Sequence, residues 1–227
     1  MQFGHRLAFV ARIAEADEPF FKKSPRCLLQ QHDPPLVHLD QVVIGTKNEG
    51  DALTRLVEAA GRGFRTGGFG GTGVDALAKG AGLTSGAFYA HFDSKAEAFR
   101  LVVSDGLATL RNGIAAFQER HGRGWRDPFV DFYLGERMEL GIDEACGLPS
   151  FSSDVARADD ATRAVYEKEL TSLLEVLVAG FRGAHASERA WSFLAVLSGA
   201  AAMARAVKDE RIRREILAAA GVAAKAI

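Results

Sequence analysis

The stretch GVDALAKGAGLTSGAFYAHFDSK, residues 73–95, decides the fold of this chain. Val74, Leu77 and Ala78 lie at helical spacing and predict a short amphipathic helix. Two glycines follow closely, at positions 80 and 82, and glycine ends helices because it adopts left-handed backbone angles at little cost. The sequence therefore predicts that this helix stops at a tight turn.

Polar residues mark where the helices around this turn begin. Thr72, with Asp75 three residues later, matches a capping box for the first helix. A second short helix begins at Thr84 or Ser85, and a third begins at Ser94 or just before it. A helix, a turn with glycine and a short second helix make a helix-turn-helix unit, whose second helix enters the major groove of DNA.

Over roughly residues 51–101 the chain resembles the TetR family of bacterial transcriptional regulators. The residues that carry the resemblance are Phe64, Gly68, Phe69, Thr72, Val74, Leu77, Ala78, Ala81, Gly82, Leu83, Ser85, Gly86, Phe88, Tyr89, His91, Phe92, Ser94 and Lys95. So many agreements in type and spacing make the match specific. The resemblance implies an all-α fold, in which an N-terminal three-helix helix-turn-helix head precedes an antiparallel helical body for ligand binding and dimerisation.

Composition separates the first segment, residues 1–46, from the rest of the chain. Four of the six prolines lie there, and the family resemblance does not need this segment. We expect a poorly ordered extension. The alternative is an arm that contacts DNA or a dimer partner through Lys22, Lys23 and Arg26.

Helical periodicity defines the two remaining segments. Residues 47–94 are expected to form the helix-turn-helix DNA-binding domain, with a loose glycine-rich loop at 67–71. A single apolar stripe then follows residues 94–118 and predicts a long helix. The resemblance implies that this helix joins the head to the body. Residues 95–220 are expected to form the helical domain that binds an effector and dimerises, with a frayed tail from residue 218.

Other classes of protein find little support. Gly68, Gly70 and Gly73, with Asp93 about twenty residues on, match a dinucleotide fingerprint, but no strand precedes the glycines. The nucleophile-elbow, zinc-protease and Walker motifs are missing, so neither an enzyme nor a cofactor is expected. No metal site is expected either, because the possible ligands Cys27, His32 and His38 fit no familiar zinc spacing.

Charge and cysteine content set further limits. The formal net charge of the chain is −1, and a nearly neutral chain must bind DNA by local geometry rather than by a basic surface. Cys27 and Cys146 lie far apart, which favours a reducing cytoplasm over a disulfide framework. No apolar run is long enough to suggest a membrane span.

The resemblance implies eight residues that contact DNA. Bases are expected to face Thr84, Ser85, Gly86 and Ala87, and phosphates to face Thr72, Tyr89, His91 and Lys95. Hydroxyls meet either donors or acceptors on bases, and an alanine methyl meets thymine. Arg and Lys are absent from the base-facing set, so discrimination per base should be modest. The alternative for Tyr89 and His91 is simple packing against the first helix.

The resemblance implies a small-molecule pocket in the body, and the aromatic residues there suggest an apolar or aromatic effector. The candidates are Phe117, Trp125, Phe129, Phe132, Tyr133, Met138, Phe151 and Trp191. The alternative is an ordinary core, because aromatic residues at helical spacing are more often packed inside.

The resemblance also implies a homodimer through the last two long helices, about residues 161–208. Small residues at 198–202 allow another helix to approach closely. An ordinary core pair is the alternative. The resulting hypothesis is a repressor that a small molecule releases from a pseudo-palindromic double-stranded DNA operator, and its rival is a helical protein-interaction adaptor that does not bind DNA.

Overall fold

The computed structural model describes residues 47–227, with side chains from residue 52 onward. Residues 51–227 form one compact unit. The extension at residues 1–46 lies outside the described residues, as do its candidates for an arm or a metal site, Lys22, Lys23, Arg26, Cys27, His32 and His38.

The described part is all-α, as predicted, with α-helices, short 3-10 turns and no strand among residues 47–227. The helices are α1 Lys47–Gly71, α2 Val74–Gly80, α3 Ser85–Tyr89, α4 Lys95–His121, α5 Arg126–Leu134, α6 Gly147–Val155, α7 Asp160–Phe181, α8 Ala186–Ala206 and α9 Glu210–Ala226. Three 3-10 turns lie at Gly122–Gly124, Glu136–Glu139 and Ile142–Glu144. None of these helices is long and apolar enough to cross a membrane.

The head consists of α1, α2, α3 and the first turns of α4 around one apolar core. Phe64 on α1 meets Phe99 on α4 edge-on, with ring centroids 5.2 Å apart. The ring centroids of Phe88 and Phe92 lie 5.0 Å apart, and both side chains are buried. Burial of large aromatic side chains provides most of the free energy that holds such a small unit together.

The body is built on α4, which packs lengthwise against α7, while α8 packs against both α7 and α9. Its core contains Trp125, Phe129, Leu173, Leu177 and Phe193, all fully or nearly fully buried. A buried ion pair also joins α4 to α7, with Arg111 Nη1 lying 3.0 Å from a Glu169 carboxylate oxygen. Helix α4 therefore belongs to the head at its start and to the body along the rest of its length.

The predicted loop at residues 67–71 is wrong. Helix α1 continues to Gly71, with one break at Gly68 (φ 68°, ψ 171°), a conformation that is essentially restricted to glycine. The segment is also tied down, since Phe69 N–H donates to Asp154 (2.8 Å) and Lys95 Nζ donates to the Phe69 carbonyl (2.8 Å). The extra glycines therefore make a fixed kink.

The predicted frayed tail is also wrong, because α9 extends to Ala226. Ala224 is fully buried, Lys225 pairs with Asp131 at 2.5 Å, and Arg189 Nε donates to the Ile227 carbonyl (2.7 Å). An alanine-rich segment has high helix propensity, and these contacts fix it on the body.

Candidate nucleic-acid interface

The turn between α2 and α3 is closed by main-chain hydrogen bonds. Ala81 N–H donates to Ala78 O (3.0 Å), and Leu83 N–H donates to the same carbonyl (2.9 Å). Gly82 adopts φ 70° between them, where a side chain would be strained. The glycine predicted to end α2 is thus the residue that turns the chain toward α3.

Side chains at the start of α3 fix its orientation. Thr84 is the N-cap residue, and its Oγ1 accepts a hydrogen bond from Ala87 N–H (3.2 Å). Ser85 Oγ donates to the carboxylate of Asp75 on α2. The first residue of α3 is therefore bonded directly to the first turn of α2, and the two helices are held as one unit.

One side of α3 packs on the head and the other is open. Phe88 is fully buried, whereas Tyr89 is 58% exposed. Gly86 and Ala90 are exposed, and Ser85 and Ala87 are half-buried. The arrangement leaves a surface of small groups and hydroxyls, which a DNA groove can approach closely.

Thr72 lies inside the head rather than on its surface. It is only 8% exposed, and its hydroxyl donates to the Gly63 carbonyl (3.0 Å). The predicted capping box is wrong, because Gly73 is the N-cap of α2 and has no side-chain cap. The Thr72 hydroxyl is bonded to α1, and α2 begins one residue later than a cap by Thr72 would require.

The ammonium group of Lys95 uses part of its hydrogen-bonding capacity within the head. Its ammonium donates to the carbonyls of Phe69 (2.8 Å) and Thr72 (3.2 Å) and lies 4.4 Å from the centre of the Phe69 ring. An ammonium has three donors, so one remains for a phosphate. The side chain of His91 is half-buried. Its main-chain N–H donates to the Phe88 carbonyl (3.0 Å).

Most of the predicted pocket residues lie in the body core with little space between them. Trp125, Phe129, Tyr133 and Met138 are buried, and Phe117 and Phe132 are half-buried. Phe129 and Tyr133, with several leucines, line a cavity of about 10 Å³, room for one water molecule at most. Burial raises the pKa of the Tyr133 hydroxyl, and the neighbouring Cys146 thiol adds to the rise. This cavity is too small to hold a bound effector.

Two predicted pocket residues lie elsewhere. Trp191 is 44% exposed on the outer side of α8, because that helix buries Ala190, Phe193 and Leu194 instead. Phe151 belongs to the head core, where its ring meets Phe99 edge-on at 5.8 Å. Neither side chain lines the small cavity in the body.

Helix α6 connects that cavity to the head. Leu148 near its start lines the cavity, while Phe151 and Val155 join the head core. Near its end, Asp154 accepts the hydrogen bond from Phe69 N–H. Sequence reasoning missed Asp154, because nothing in a periodic pattern shows that a carboxylate meets a main-chain group 85 residues away.

Arg65 provides a second connection that sequence reasoning missed. Its Nε donates to the Ala145 carbonyl (2.8 Å), and its guanidinium lies 4.9 Å from the centre of the Phe151 ring. Burial lowers the pKa of Arg65 and raises the pKa of Asp105, and attraction between the two groups opposes each shift. An arginine buried between α1 and the loop before α6 is a structural joint, not a DNA contact.

Comparisons with known proteins agree with this geometry. Residues 56–102 match the family described as bacterial regulatory proteins, tetR family. No curated protein sequence matches the chain. In the described residues, no group of three His, Cys, Asp or Glu side chains is placed to hold a metal ion.

Solved structures share the fold at low sequence identity. A TetR-family regulator from Cytophaga hutchinsonii has a TM-score of 0.65 and 16% identity, covering 81% of this chain and 98% of its own. Reduced NemR from E. coli has a TM-score of 0.64 and 18% identity, covering 75% and 95%. FadR from Bacillus subtilis, in complex with stearoyl-CoA, has a TM-score of 0.57 and 10% identity, covering 74% and 97%.

Proposed function

We propose that this DNA-binding transcriptional regulator, a member of the TetR family of bacterial regulatory proteins, is a cytoplasmic repressor. It binds a pseudo-palindromic operator as a homodimer, and a small molecule releases it. The observation that carries the proposal is α3, a short helix with Phe88 in the head core and Tyr89 in solvent. An exposed second helix of a helix-turn-helix unit is the element that reads DNA.

Base recognition is assigned to the first turn of α3. Thr84 and Ser85 offer hydroxyls to base edges, Ala87 offers a methyl to thymine, and Gly86 lets the DNA approach closely. A Cβ on Gly86 would meet only the Thr84 hydroxyl within 4 Å, so the surface there is open.

Phosphate contacts are assigned to residues around that turn. Tyr89 and His91 approach the backbone by their side chains, Lys95 by its remaining donor, and Thr72 by its main chain. These contacts position the head and carry no sequence information by themselves. They should make the affinity for DNA fall as salt concentration rises.

The homodimer is assigned to a surface centred on α8. Trp191 and Met203 are 44% and 55% exposed on its outer side, and exposed Ala195, Gly199 and Ala202 lie between them. Small residues allow helices to pack closely, and large exposed apolar groups mark association surfaces. A dimer places two heads on half-sites that lie about one helical turn of DNA, ~34 Å, or a multiple of it apart.

Helix α9 fits this surface better than α7, which was the expected partner. Val222 on α9 is 75% exposed, with exposed Ala219 and Ala223 beside it in sequence. The exposed charged residues of α9 lie in its first turns, whereas those of α7 are spread along the helix (they include Glu210, Arg211, Arg214 and Glu215 on α9, and Arg163, Glu167, Lys168 and Glu175 on α7). Charged residues are depleted in the cores of protein interfaces, so we assign the second dimer helix to α9.

The effector is assigned to the aromatic body, with α6 carrying its effect to the head. The cavity of about 10 Å³ must open, because ligand sites usually measure about 300–1,000 Å³. Ligand entry beside Leu148 displaces α6, whose Asp154 and Phe151 hold the head. The lining favours an apolar or aromatic molecule, and the complex of Bacillus subtilis FadR, a protein of similar fold, with stearoyl-CoA supports this proposal. Only a ligand that binds the two states unequally shifts their populations.

The proposal is tested by selecting bound duplexes from a random DNA library with the full chain. Mobility shifts with the selected duplex and with DNA from upstream of its own gene then measure affinity. We expect an enriched sequence with two-fold symmetry and a complex that contains two chains. A matched control with Gly86→Trp, which fills the open surface of α3, should bind no sequence. Wild-type protein that enriches nothing would instead support the adaptor alternative.

A further inference from the structure

The two neighbouring hydroxyls at the start of α3 are held in hydrogen bonds of opposite direction. Thr84 Oγ1 accepts from Ala87 N–H at 3.2 Å. Ser85 Oγ donates its proton to the Asp75 carboxylate. A hydroxyl has one proton and two lone pairs, so Thr84 keeps its proton for a further partner, while Ser85 keeps only lone pairs.

This difference in direction matters in the major groove. A free serine hydroxyl meets both donors and acceptors, and it distinguishes bases poorly for that reason. A serine whose proton is already used accepts only. The exocyclic amines of cytosine (N4) and adenine (N6) are the donors that the major groove offers.

We propose that Asp75 is a specificity-determining residue that acts through Ser85. By taking the hydroxyl proton, its carboxylate makes the Ser85 oxygen select cytosine or adenine at the facing position and disfavour guanine and thymine. The inference rests on the proposed function, because α3 must enter the major groove. It adds a residue on α2 that has no base contact of its own.

The charge of Asp75 gives this role a second signature. Asp75 is exposed on the side of α2 that faces the start of α3, and a carboxylate there repels phosphates. Because neutral substitution removes this repulsion, general affinity should rise while discrimination falls. A residue that only supported the fold would lower both together.

The experiment compares base preferences of the full chain and of three variants. Selection from random duplexes is followed by competition between duplex pairs that differ at the base pair facing Ser85. The variants are Asp75→Ala, Ser85→Ala, and Asp93→Ala as the matched charge control. Asp93 is an exposed carboxylate of the same head and has no contact with Ser85.

We expect wild-type protein to prefer cytosine or adenine about three- to tenfold, as one hydrogen bond allows. Asp75→Ala and Ser85→Ala should both abolish that preference, while Asp93→Ala retains it. Asp75→Ala and Asp93→Ala should both bind unrelated DNA several-fold more tightly. Thermal unfolding of each variant checks the fold, and Ser85→Ala, which deletes one oxygen atom, gives an independent reading if Asp75→Ala is unstable.

Three results would overturn the inference. Asp75→Ala could retain the wild-type base preference. Ser85→Ala could retain the preference that Asp75→Ala loses, which would mean that the carboxylate reads the base directly. Wild-type protein could enrich no sequence, and only this last result would overturn the proposed function as well.

Discussion

The head and the body use the same residue type in opposite ways. In the head, Phe64, Phe88 and Phe92 form the core, and small polar groups remain on the working surface. In the body, the aromatic residues are the candidate effector site, and two of them, Phe129 and Tyr133, line a cavity of about 10 Å³. The surface proposed for DNA binding is therefore already exposed in the head, whereas the effector site proposed for the body requires the body to open first.

The largest expected effect is at the centre of the body. Phe129→Ala removes a ring that is 2% exposed and should lower the free energy of unfolding by about 3–5 kcal/mol. The enlarged cavity should accept a small aromatic compound, which would restore part of the loss by binding the folded state. Chemical denaturation with and without indole measures both effects.

Phe132→Ala is the matched control, because Phe132 is half-buried and does not line the cavity. Phe132→Ala should lower the free energy of unfolding by less than Phe129→Ala does, and indole should not raise it again. Equal costs for the two variants would mean that the body is not closed around Phe129.

A second prediction concerns the kink where the body holds the head. Gly68→Ala places a Cβ at φ +68°, only 3.2 Å from the Asp154 carboxylate, and should cost about 1–3 kcal/mol of stability. In Gly70→Ala, the control, the new Cβ meets nothing within 4 Å, and helix propensity should make it neutral or stabilising. Chemical denaturation measures the free energy of unfolding of both variants. Similar values for the two would mean that the kink at Gly68 is not fixed.

A third prediction isolates the working surface of the head. Tyr89→Ala should weaken DNA binding about three- to tenfold, equally for all sequences, since a lost phosphate contact carries no sequence information. Stability should barely change because Tyr89 is 58% exposed. Tyr89→Phe separates the hydroxyl from the ring, and an affinity equal to wild type would favour ring packing over a phosphate contact. Fluorescence anisotropy measures each affinity.

The smallest expected effect is a pH dependence of stability that comes from Asp105 on α4, which lies near Arg65 on α1. Burial raises the pKa of Asp105 in the folded chain, so the folded state holds this proton more tightly than the unfolded state. Its contribution to stability is complete below the unfolded pKa of about 3.9 and is lost as pH rises to the folded pKa. The melting temperature of wild type relative to Asp105→Asn should therefore fall across that window. A constant or rising difference would contradict the raised pKa.

The short helices of the head could be predicted from the sequence because local residues mark where they begin and end. Gly82 marks the turn after α2. Phe88 and Phe92, four residues apart, mark the side of the next segment that faces the core. The capping box at Thr72 is wrong because α2 begins one residue later, with Gly73 as its N-cap. A capping pattern also cannot show that the Thr72 hydroxyl donates to a carbonyl on another helix.

The body was harder to predict because its helices carry alanine on both faces. In α8, Trp191, Leu194 and Ser198 share helical spacing, but of these the structure buries only Leu194, together with Ala190, Phe193 and Leu197. Helical spacing alone does not fix which side faces inward when both sides are apolar. The same ambiguity hid Phe151, whose partners Phe99 and Arg65 lie in distant parts of the chain.

The most direct test of the account is amide hydrogen exchange of the full chain, with and without the selected duplex. If α3 is the reading element, DNA should slow exchange first in residues 72–95. An added effector should instead change exchange in residues 126–155. Slowing confined to the body, with residues 72–95 unchanged, would contradict the assignment of DNA binding to α3.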